Sequence, residues 1–260
     1  MDPRPARVRL LGAEIDLVTP AEVLDRVATY VSQGAPAVIA NHNSHSLYLA
    51  RRSPALRAFF DLADLIQADS TPMIASGRLI GLPIGPQHRS TYLDWRDDFW
   101  TLAEAKAWRV FYLGGAPGVA EAARDRLAAA HPRCEIGVHH GYFDADPASA
   151  ENRAVLAAIE AFTPDILLVG MGMPRQEAWI LANRHAVPHG VMFSVGAAFD
   201  YEAGAQVAAP RWMGRLGLEW LFRLASQPQR LAFRYLVEPW FLLPAALDDL
   251  KARRLRLTPA

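Results

Sequence analysis

Residues 164–180 read PDILLVGMGMPRQEAWI, and this stretch decides the class of fold. The apolar run at 165–169 fits a buried strand, and the glycines after it fit a tight turn. A helical period then begins and continues over about 174–184. Strand, glycine turn and helix in succession form the repeating unit of a parallel sheet covered by helices. We therefore expect an α/β protein.

The same alternation extends outward over most of the chain. Apolar or β-branched runs predict further strands at about 36–41, 64–68, 109–113 and 191–195. Thr19 followed by Pro20 predicts a helix start, with an N-cap and a proline at the first helical position. The predicted helices cover about 20–33, 54–62, 71–80, 91–107, 117–130, 148–162 and 174–184. The expected architecture is a Rossmann-like, mostly parallel sheet with flanking helices.

The alternation stops after Gly204, which predicts an α/β domain over 1–204 and a helical appendage over 205–260. The appendage places arginines and aromatic residues in adjacent stripes at helical spacing. This set consists of Arg211, Arg215, Arg223, Arg230, Arg234, Arg253, Arg254 and Arg256 with Trp212, Trp220, Phe222, Phe233, Tyr235, Trp240 and Phe241. Three interpretations stay open: packing on the core, binding to an anionic membrane surface, and binding to nucleic acid.

Composition narrows the class of protein. Lys and Arg together number 27, as do Asp and Glu, so the formal net charge is zero and nucleic acid is the least favoured partner. Cys134 is the only cysteine, which excludes an intramolecular disulfide and fits a reducing compartment. The N-terminus lacks the apolar segment of a signal peptide, and no apolar run reaches the roughly 20 residues that span a bilayer. We expect a cytoplasmic protein that does not cross a membrane.

Polar or glycine-rich segments follow the predicted strands. Ligands of open α/β sheets bind beyond the carboxyl ends of the strands, so these segments are expected to line one crevice. The candidate residues, in strand order, are Asn41 and Asn43, then Asp69, then Gly114 and Gly115, then Gly172 and Gln176, and finally Gly196 and Asp200.

Asp69 directly follows the apolar run LADLIQA, and residues 70–72 begin the next helix. One interpretation makes Asp69 only the cap of that helix. The other makes it a general base, which needs a rigid strand end within reach of a substrate hydroxyl. Both interpretations stay open on residue type alone.

Two glycine segments have the form of anion sites. LGGAPGVAEAA and GMGMPRQE both place glycines before a helix start, where backbone N–H groups and the helix dipole favour a diphosphate. The alternative is that the glycines only permit a tight turn. Neither segment is GxGxxG with an acidic residue about 20 positions later, which weighs against a nucleotide-dependent oxidoreductase. A non-catalytic sugar or nucleotide sensor is a second rival.

The sequence gives little evidence for a bound metal or for covalent catalysis. The pairs His42 with His45 and His139 with His140 lack HExxH spacing and an evident set of carboxylate partners, so we expect no bound metal. No GxSxG segment is present, which argues against a covalent hydrolase.

Taken together, the motifs resemble the WecG/TagA/CpsF family of glycosyltransferases over about residues 8–236. The matching blocks are NHNSHSLYLA, LADLIQADSTP, WRVFYLGGAPGVAEAA, HHGYF, PDILLVGMGMPRQEAWI, FSVGAAFDYEAG and APRWMGRLGLEWLFRL. The resemblance implies inverting transfer of a sugar from a UDP-sugar to a lipid-linked saccharide during assembly of surface polysaccharides, without a cofactor or a DxD-bound metal. N-acetylmannosamine, its uronic acid and glucose are the donor sugars within the family.

The resemblance also assigns roles by position. Asp69 matches the proposed catalytic aspartate, with Ser70 in place of a common glycine, and Asn41 belongs to the same catalytic pair where many members have threonine. Substrate contacts are expected of Asn43, Arg89, Gln176 and Asp200, together with the glycines named above. Arg223 and Arg230 match basic positions of an appendage that docks on the inner face of the plasma membrane and meets the diphosphate. A homo-oligomer is compatible with the sequence.

Overall fold

The computed structural model describes residues 5–188, 190–210, 213 and 217–257. Of the predicted arginine and aromatic set, Arg211, Trp212 and Arg215 lie outside the described residues. The side chains of Arg253, Arg254 and Arg256 also lie outside the description.

Six strands form the central sheet, and a separate hairpin precedes them. The hairpin strands are β1 (Arg7–Leu10) and β2 (Ala13–Asp16), which pair antiparallel. The sheet strands are β3 (Ala37–His42), β4 (Leu65–Ala68), β5 (Arg109–Gly114), β6 (Glu135–His139), β7 (Ile166–Gly170) and β8 (Val191–Ser194). All neighbours in the sheet are parallel, in the order β4-β3-β8-β7-β5-β6. The predicted α/β class is confirmed, and the predicted strands correspond to β3, β4, β5, β7 and β8.

Helices cover the sheet and form the C-terminal appendage. Those of the sheet region are α1 (Pro20–Gln33), α2 (Ser44–Ala50), α3 (Pro54–Leu62), α4 (Thr71–Leu79), α5 (Tyr92–Lys106), α6 (Val119–Ala130), α7 (Ala150–Phe162), α8 (Arg175–Asn183) and α9 (Ala198–Glu202). Those of the appendage are α10 (Glu219–Ser226), α11 (Pro228–Leu236) and α12 (Leu243–Leu257), with a 3₁₀ turn at Glu238–Leu242.

The start of α1 shows how local sequence sets an element boundary. Thr19 Oγ1 accepts a hydrogen bond from the backbone N of Glu22 at 3.3 Å, and Glu22 Oε2 accepts one from the backbone N of Thr19 at 2.7 Å. This reciprocal pair satisfies two backbone donors that a helix start leaves without intrahelical partners. Pro20 at the first position completes the arrangement. The predicted helix start is confirmed.

The core lies on both faces of the sheet. Successive side chains of a strand point to opposite faces, so Leu167 and Val169 of β7 pack in one apolar cluster while Ile166 and Leu168 pack in the other. Burial of each such side chain contributes about 1.5–3 kcal/mol. Burial on both faces explains why β7 reads as a continuous apolar run.

The appendage packs against the sheet region. Leu231 and Leu242 are buried, and the backbone N of Leu11 donates to Asp249 Oδ2 at 2.7 Å. Leu242 belongs to one of the apolar clusters of the sheet region, so these contacts hold the 3₁₀ turn and α12 against the body of the protein. The division into two domains at residue 204 stays a prediction. Within the described residues, no helix is both long and apolar enough to cross a membrane.

Candidate functional site

A cavity of about 410 Å³ opens at one edge of the sheet. It lies beyond the carboxyl ends of β4, β3, β8 and β7, which are adjacent strands. Of the predicted site residues, the cavity is lined by Asn41, Asn43, Asp69, Gly172, Gln176, Gly196, Arg223 and Arg230. The fold therefore brings together residues that are far apart in the sequence.

Asp69 follows β4 and is fixed by its backbone. Its N–H donates to the carbonyl oxygen of His42 at 2.7 Å. The next residue, Ser70, is the N-cap of α4, because its Oγ accepts from the backbone N of Met73 at 3.3 Å. The φ of Ser70 is −156°, extended backbone that any residue adopts, so serine in place of glycine leaves the loop unstrained. The Asp69 carboxyl has no capping role and faces the cavity.

Asn41 orients this carboxyl. Its Nδ2 donates to Asp69 Oδ2 at 3.5 Å, and Ser194 Oγ donates to Asn41 Oδ1 at 3.4 Å. Asn41 and Ser194 sit on the neighbouring strands β3 and β8, which are rigid supports. Asn43 also lines the cavity, but its Oδ1 caps α2 by accepting from the backbone N of Ser46 at 3.0 Å.

The proton affinity of Asp69 is unusual. Protein atoms surround the carboxyl although part of the residue is accessible from the cavity, and this burial raises its pKa to about 7. Among charged neighbours, Glu219 raises the pKa further, while Arg89 and Arg223 oppose the rise. A carboxyl with this pKa is substantially ionised at neutral pH yet binds a proton readily, which suits a general base.

A second cavity, of about 210 Å³, is also lined by Asp69. The two cavities share Asn43, His45, Asp69, Glu219, Arg223 and Arg234. Arg89 lines only the second cavity. Its Nη2 donates to Asp94 Oδ1 at 2.9 Å and its Nη1 to Glu219 Oε2 at 3.0 Å. Asp69 thus lies where two cavities meet.

Gln176 joins the two glycine loops of the larger cavity. Its Oε1 accepts from the backbone N of Gly172 and from that of Gly196, each at 3.1 Å. Its Nε2 donates to Glu177 Oε1 at 2.7 Å, and burial raises the pKa of Glu177 to about 7. Both glycines have positive φ, at 79° and 58°, which favours glycine. Gln176 therefore sets the shape of the loops that face the cavity.

Gly114, Gly115 and Asp200 do not line either cavity. Gly114 ends β5, which lies beyond β7, and a Cβ there would come within 2.3 Å of the carbonyl oxygen of Gly170. Close strand approach thus accounts for this glycine. Asp200, on α9, is partly buried, and burial raises its pKa while Arg230 opposes the rise.

Two further cavity residues, Glu219 and Glu238, were not singled out by their sequence context, and His45 was considered only as a possible metal ligand. His45 Nδ1 lies 2.7 Å from Glu238 Oε2. Burial and Arg234 lower the pKa of His45, although Glu238 opposes this, so a neutral imidazole donates to the carboxylate at neutral pH. The contact ties α2 to the 3₁₀ turn of the appendage. No local pattern marks Glu219 or Glu238, because α10 and the 3₁₀ turn reach the site only by long-range packing.

The histidines that the structure describes do not gather into a metal-binding group. In the part of the chain that the structure describes, no group of three or more His, Cys, Asp or Glu residues could hold a metal ion. His42 stacks on Phe60 with ring centroids 3.6 Å apart, and its Nδ1 lies 2.9 Å from Ser46 Oγ. Burial lowers its pKa to about 3, so His42 is a neutral core residue.

Comparison with known proteins identifies the family. The model of the glycosyl transferase WecG/TagA/CpsF family matches residues 8–256. The chain belongs to this family. Similar relatives of the WecG/TagA/CpsF chain include the N-acetylglucosaminyldiphosphoundecaprenol N-acetyl-beta-D-mannosaminyltransferase of Staphylococcus aureus strain MRSA252, 29% identical over 236 residues. The protein of the same name from strain MW2 is 28% identical over 236 residues. Each alignment covers 87% of this chain and 87% of the relative.

Proposed function

We propose that this glycosyltransferase moves a sugar, with inversion, from a UDP-sugar to a lipid-diphosphate-linked saccharide. The observation that carries the proposal is the position of Asp69 at the junction of two cavities. The base must reach the acceptor hydroxyl while that hydroxyl faces the anomeric carbon of the donor, and a position at the junction of two substrate cavities allows this. The product would serve synthesis of a bacterial exopolysaccharide, capsule or teichoic-acid-like polymer.

The larger cavity is the proposed donor site. Gly172 and Gly196 present backbone at the ends of β7 and β8, where α/β sheets bind nucleotides, and α8 begins beside them. Arg223, Arg230 and Arg234 line the opposite side, which supports binding of a diphosphate. The names of the S. aureus relatives favour N-acetylmannosamine as the donor sugar, with its uronic acid and glucose as alternatives.

The smaller cavity is the proposed acceptor site. Ser44 and Ser70 offer hydroxyl groups, and Trp220 and Tyr235 offer aromatic faces to a sugar or lipid. The names of the relatives support an N-acetylglucosaminyl diphosphoundecaprenol acceptor. Its reacting hydroxyl would lie beside Asp69.

The proposed reaction is a single displacement. Asp69 takes the proton of the acceptor hydroxyl, and that oxygen attacks the anomeric carbon from the face opposite UDP. The bond from that carbon to the diphosphate oxygen breaks, and UDP leaves with the bonding electrons. The side chains of Arg223, Arg230 and Arg234, in place of a metal, stabilise the anionic leaving group.

The appendage is also proposed to dock on an anionic membrane from the cytoplasmic side. Among the described residues, its large exposed apolar side chains are Val207, Trp220, Leu221, Phe233, Leu236, Val237, Trp240, Phe241, Leu243 and Leu247. Arg52, which lies 4.1 Å from the Tyr48 ring centroid and 5.0 Å from that of Phe241, adds positive charge beside them. Apolar insertion together with arginine attraction suits an interfacial segment.

Acceptor-dependent release of UDP tests the proposed function. The full chain is incubated with each UDP-sugar, with and without a short-chain GlcNAc-diphosphopolyprenol. We expect rapid UDP release from one donor only when the acceptor is present. UDP binding without any release would instead favour a non-catalytic sensor. Calorimetry that shows NAD but not UDP binding would favour an oxidoreductase.

A further inference from the structure

We propose that Glu219 of α10 is a positioning residue that holds the Arg89 guanidinium and keeps it from neutralising the Asp69 carboxylate. This inference rests on the proposed function, because it concerns the proton affinity of the proposed base. Glu219 belongs to the appendage, whereas Asp69 and Arg89 belong to the sheet region. The docked appendage would therefore contribute to the strength of the base.

The backbone brings Arg89 close to Asp69. Ala68, the residue before Asp69, forms a parallel β-bridge with Arg89, and the backbone N of Ser90 donates to the carbonyl oxygen of Ala68 at 2.9 Å. An arginine beside a carboxylate ordinarily pairs with it and stabilises its ionised form. A base paired in this way would bind a proton weakly and would be a poor acceptor for a hydroxyl proton.

Two other carboxylates hold the Arg89 side chain. Asp94 on α5 accepts from one terminal nitrogen and Glu219 on α10 from the other, at 2.9 and 3.0 Å. All three side chains are mostly shielded from solvent, with exposures of 19% for Arg89, 19% for Asp94 and 24% for Glu219. Pairs shielded in this way are screened less by salt than surface pairs. Although burial acts to lower it, these carboxylates raise the pKa of Arg89.

The charged groups around Asp69 affect its pKa in the direction that this geometry predicts. After burial, Glu219 is the largest influence on the pKa of Asp69 and raises it, and Asp94 raises it to a smaller extent. Arg89 and Arg223 act in the opposite direction. The other titratable or charged groups that line the two cavities are His45, Tyr92, Tyr201, Arg230, Arg234, Tyr235 and Glu238. Loss of the Glu219 charge would leave the two arginines dominant.

The pH dependence of kcat/KM for the full chain tests the inference. We expect the kcat/KM of the wild-type enzyme to rise with pH along an ascending limb centred near pH 7, because Asp69 acts when deprotonated. Glu219→Gln keeps an oxygen that can accept from Arg89 but removes the charge, so the limb should move down by roughly one pH unit. Glu219→Asp should keep the limb in place. Asp248→Asn is the control in the appendage, for which we also expect an unshifted limb. Asp248 is exposed, lies 3.6 Å from Lys251 Nζ and lines neither cavity.

Asp94→Asn is an independent test of the inference if the Glu219→Gln protein does not fold. This substitution removes the charge of the other carboxylate that holds Arg89. The ascending limb of the Asp94→Asn enzyme should therefore also move to lower pH. A slower Glu219→Gln enzyme with an unshifted limb would show a role only in docking the appendage and would overturn the inference, as would an unshifted limb in Asp94→Asn. Failure of the proposed function would look different: Asp69→Asn would keep its transfer activity in the same assay.

Discussion

Ser70 Oγ accepts a hydrogen bond from the backbone N of Met73 at 3.3 Å, directly beside the Asp69 carboxyl. The hydroxyl of Ser70 satisfies a backbone donor at the start of α4 that a carboxylate at this position would otherwise serve. The carboxyl of Asp69 lines both cavities instead. Structural and chemical tasks are thus divided between two adjacent residues, and each can be tested separately.

Ser70→Ala should reduce stability by about 1 kcal/mol, while Ser70→Gly should reduce it by only a few tenths. The reason is loss of the cap, which glycine partly offsets by exposing the backbone to water. Urea unfolding measures both changes. Ser53→Ala is the matched control, since Ser53 Oγ caps α3 by accepting from the backbone N of Leu56 at 3.2 Å. A Ser70→Ala protein as stable as wild type would show that another group caps α4.

Asp69→Asn should raise stability at pH 8, by roughly 1–3 kcal/mol. The folded-state pKa of Asp69 lies near 7, above its ordinary value of 3.8. A carboxyl of this kind favours the folded state while protonated, and this contribution is lost as pH rises from about 4 through 7. The gain from asparagine should therefore vanish near pH 4. Thermal unfolding at the two pH values measures it, and destabilisation at pH 8 would contradict the environment described for Asp69.

Gln176→Ala should weaken UDP binding by roughly tenfold or more, because a buried amide that holds two loops is lost. Its Oε1 accepts from Gly172 and Gly196, both of which line the proposed donor cavity. Asn152→Ala is the control. Asn152 is a buried amide that accepts from Trp179 Nε1 at 2.7 Å and lines neither cavity. Calorimetry should show weaker UDP binding only for Gln176→Ala, and equal losses would point to general destabilisation.

Trp240→Ser combined with Leu243→Ser should reduce flotation with phosphatidylglycerol vesicles by roughly fivefold. Both residues are exposed on the appendage, Trp240 by 68%. Tyr142→Ser removes an aromatic residue that is 72% exposed outside the appendage, and it should float like wild type. Equal flotation of all three proteins would contradict docking through the appendage. Weaker flotation of wild type with uncharged vesicles would support the contribution of the arginines.

The sheet was predictable because its strands are buried on both faces. Residues 165–169 predict a strand that the structure places at Ile166–Gly170. The missed strands are partly exposed: three of the four residues of β1, two of the four of β2 and all five of the edge strand β6 are at least partly exposed. Helix α2 was missed because its start, Asn43 to Ser46, looks like a polar loop, yet Asn43 caps the helix.

From the pattern of residues alone, the site was predictable only where it follows a strand, whereas Arg223 and Arg230 were predicted from the family resemblance. Asn41, Asp69 and Gly196 lie at strand ends, so a sheet with adjacent parallel strands places them together. Glu219 reaches Arg89 because α10 folds back across the strand ends, and no local period records such a contact. Gly114 shows the reverse case, since its sequence context suggests an anion loop while its position reflects close contact with Gly170.

The central claim is that Asp69 is the catalytic base, and one pair of measurements on Asp69→Asn tests it most directly. Calorimetry measures UDP binding, and acceptor-dependent release of UDP measures transfer. We expect UDP affinity within about twofold of wild type and transfer reduced by roughly 10²- to 10⁴-fold, because asparagine keeps the shape of the side chain but cannot accept the proton. Transfer at a rate near that of wild type would contradict the claim.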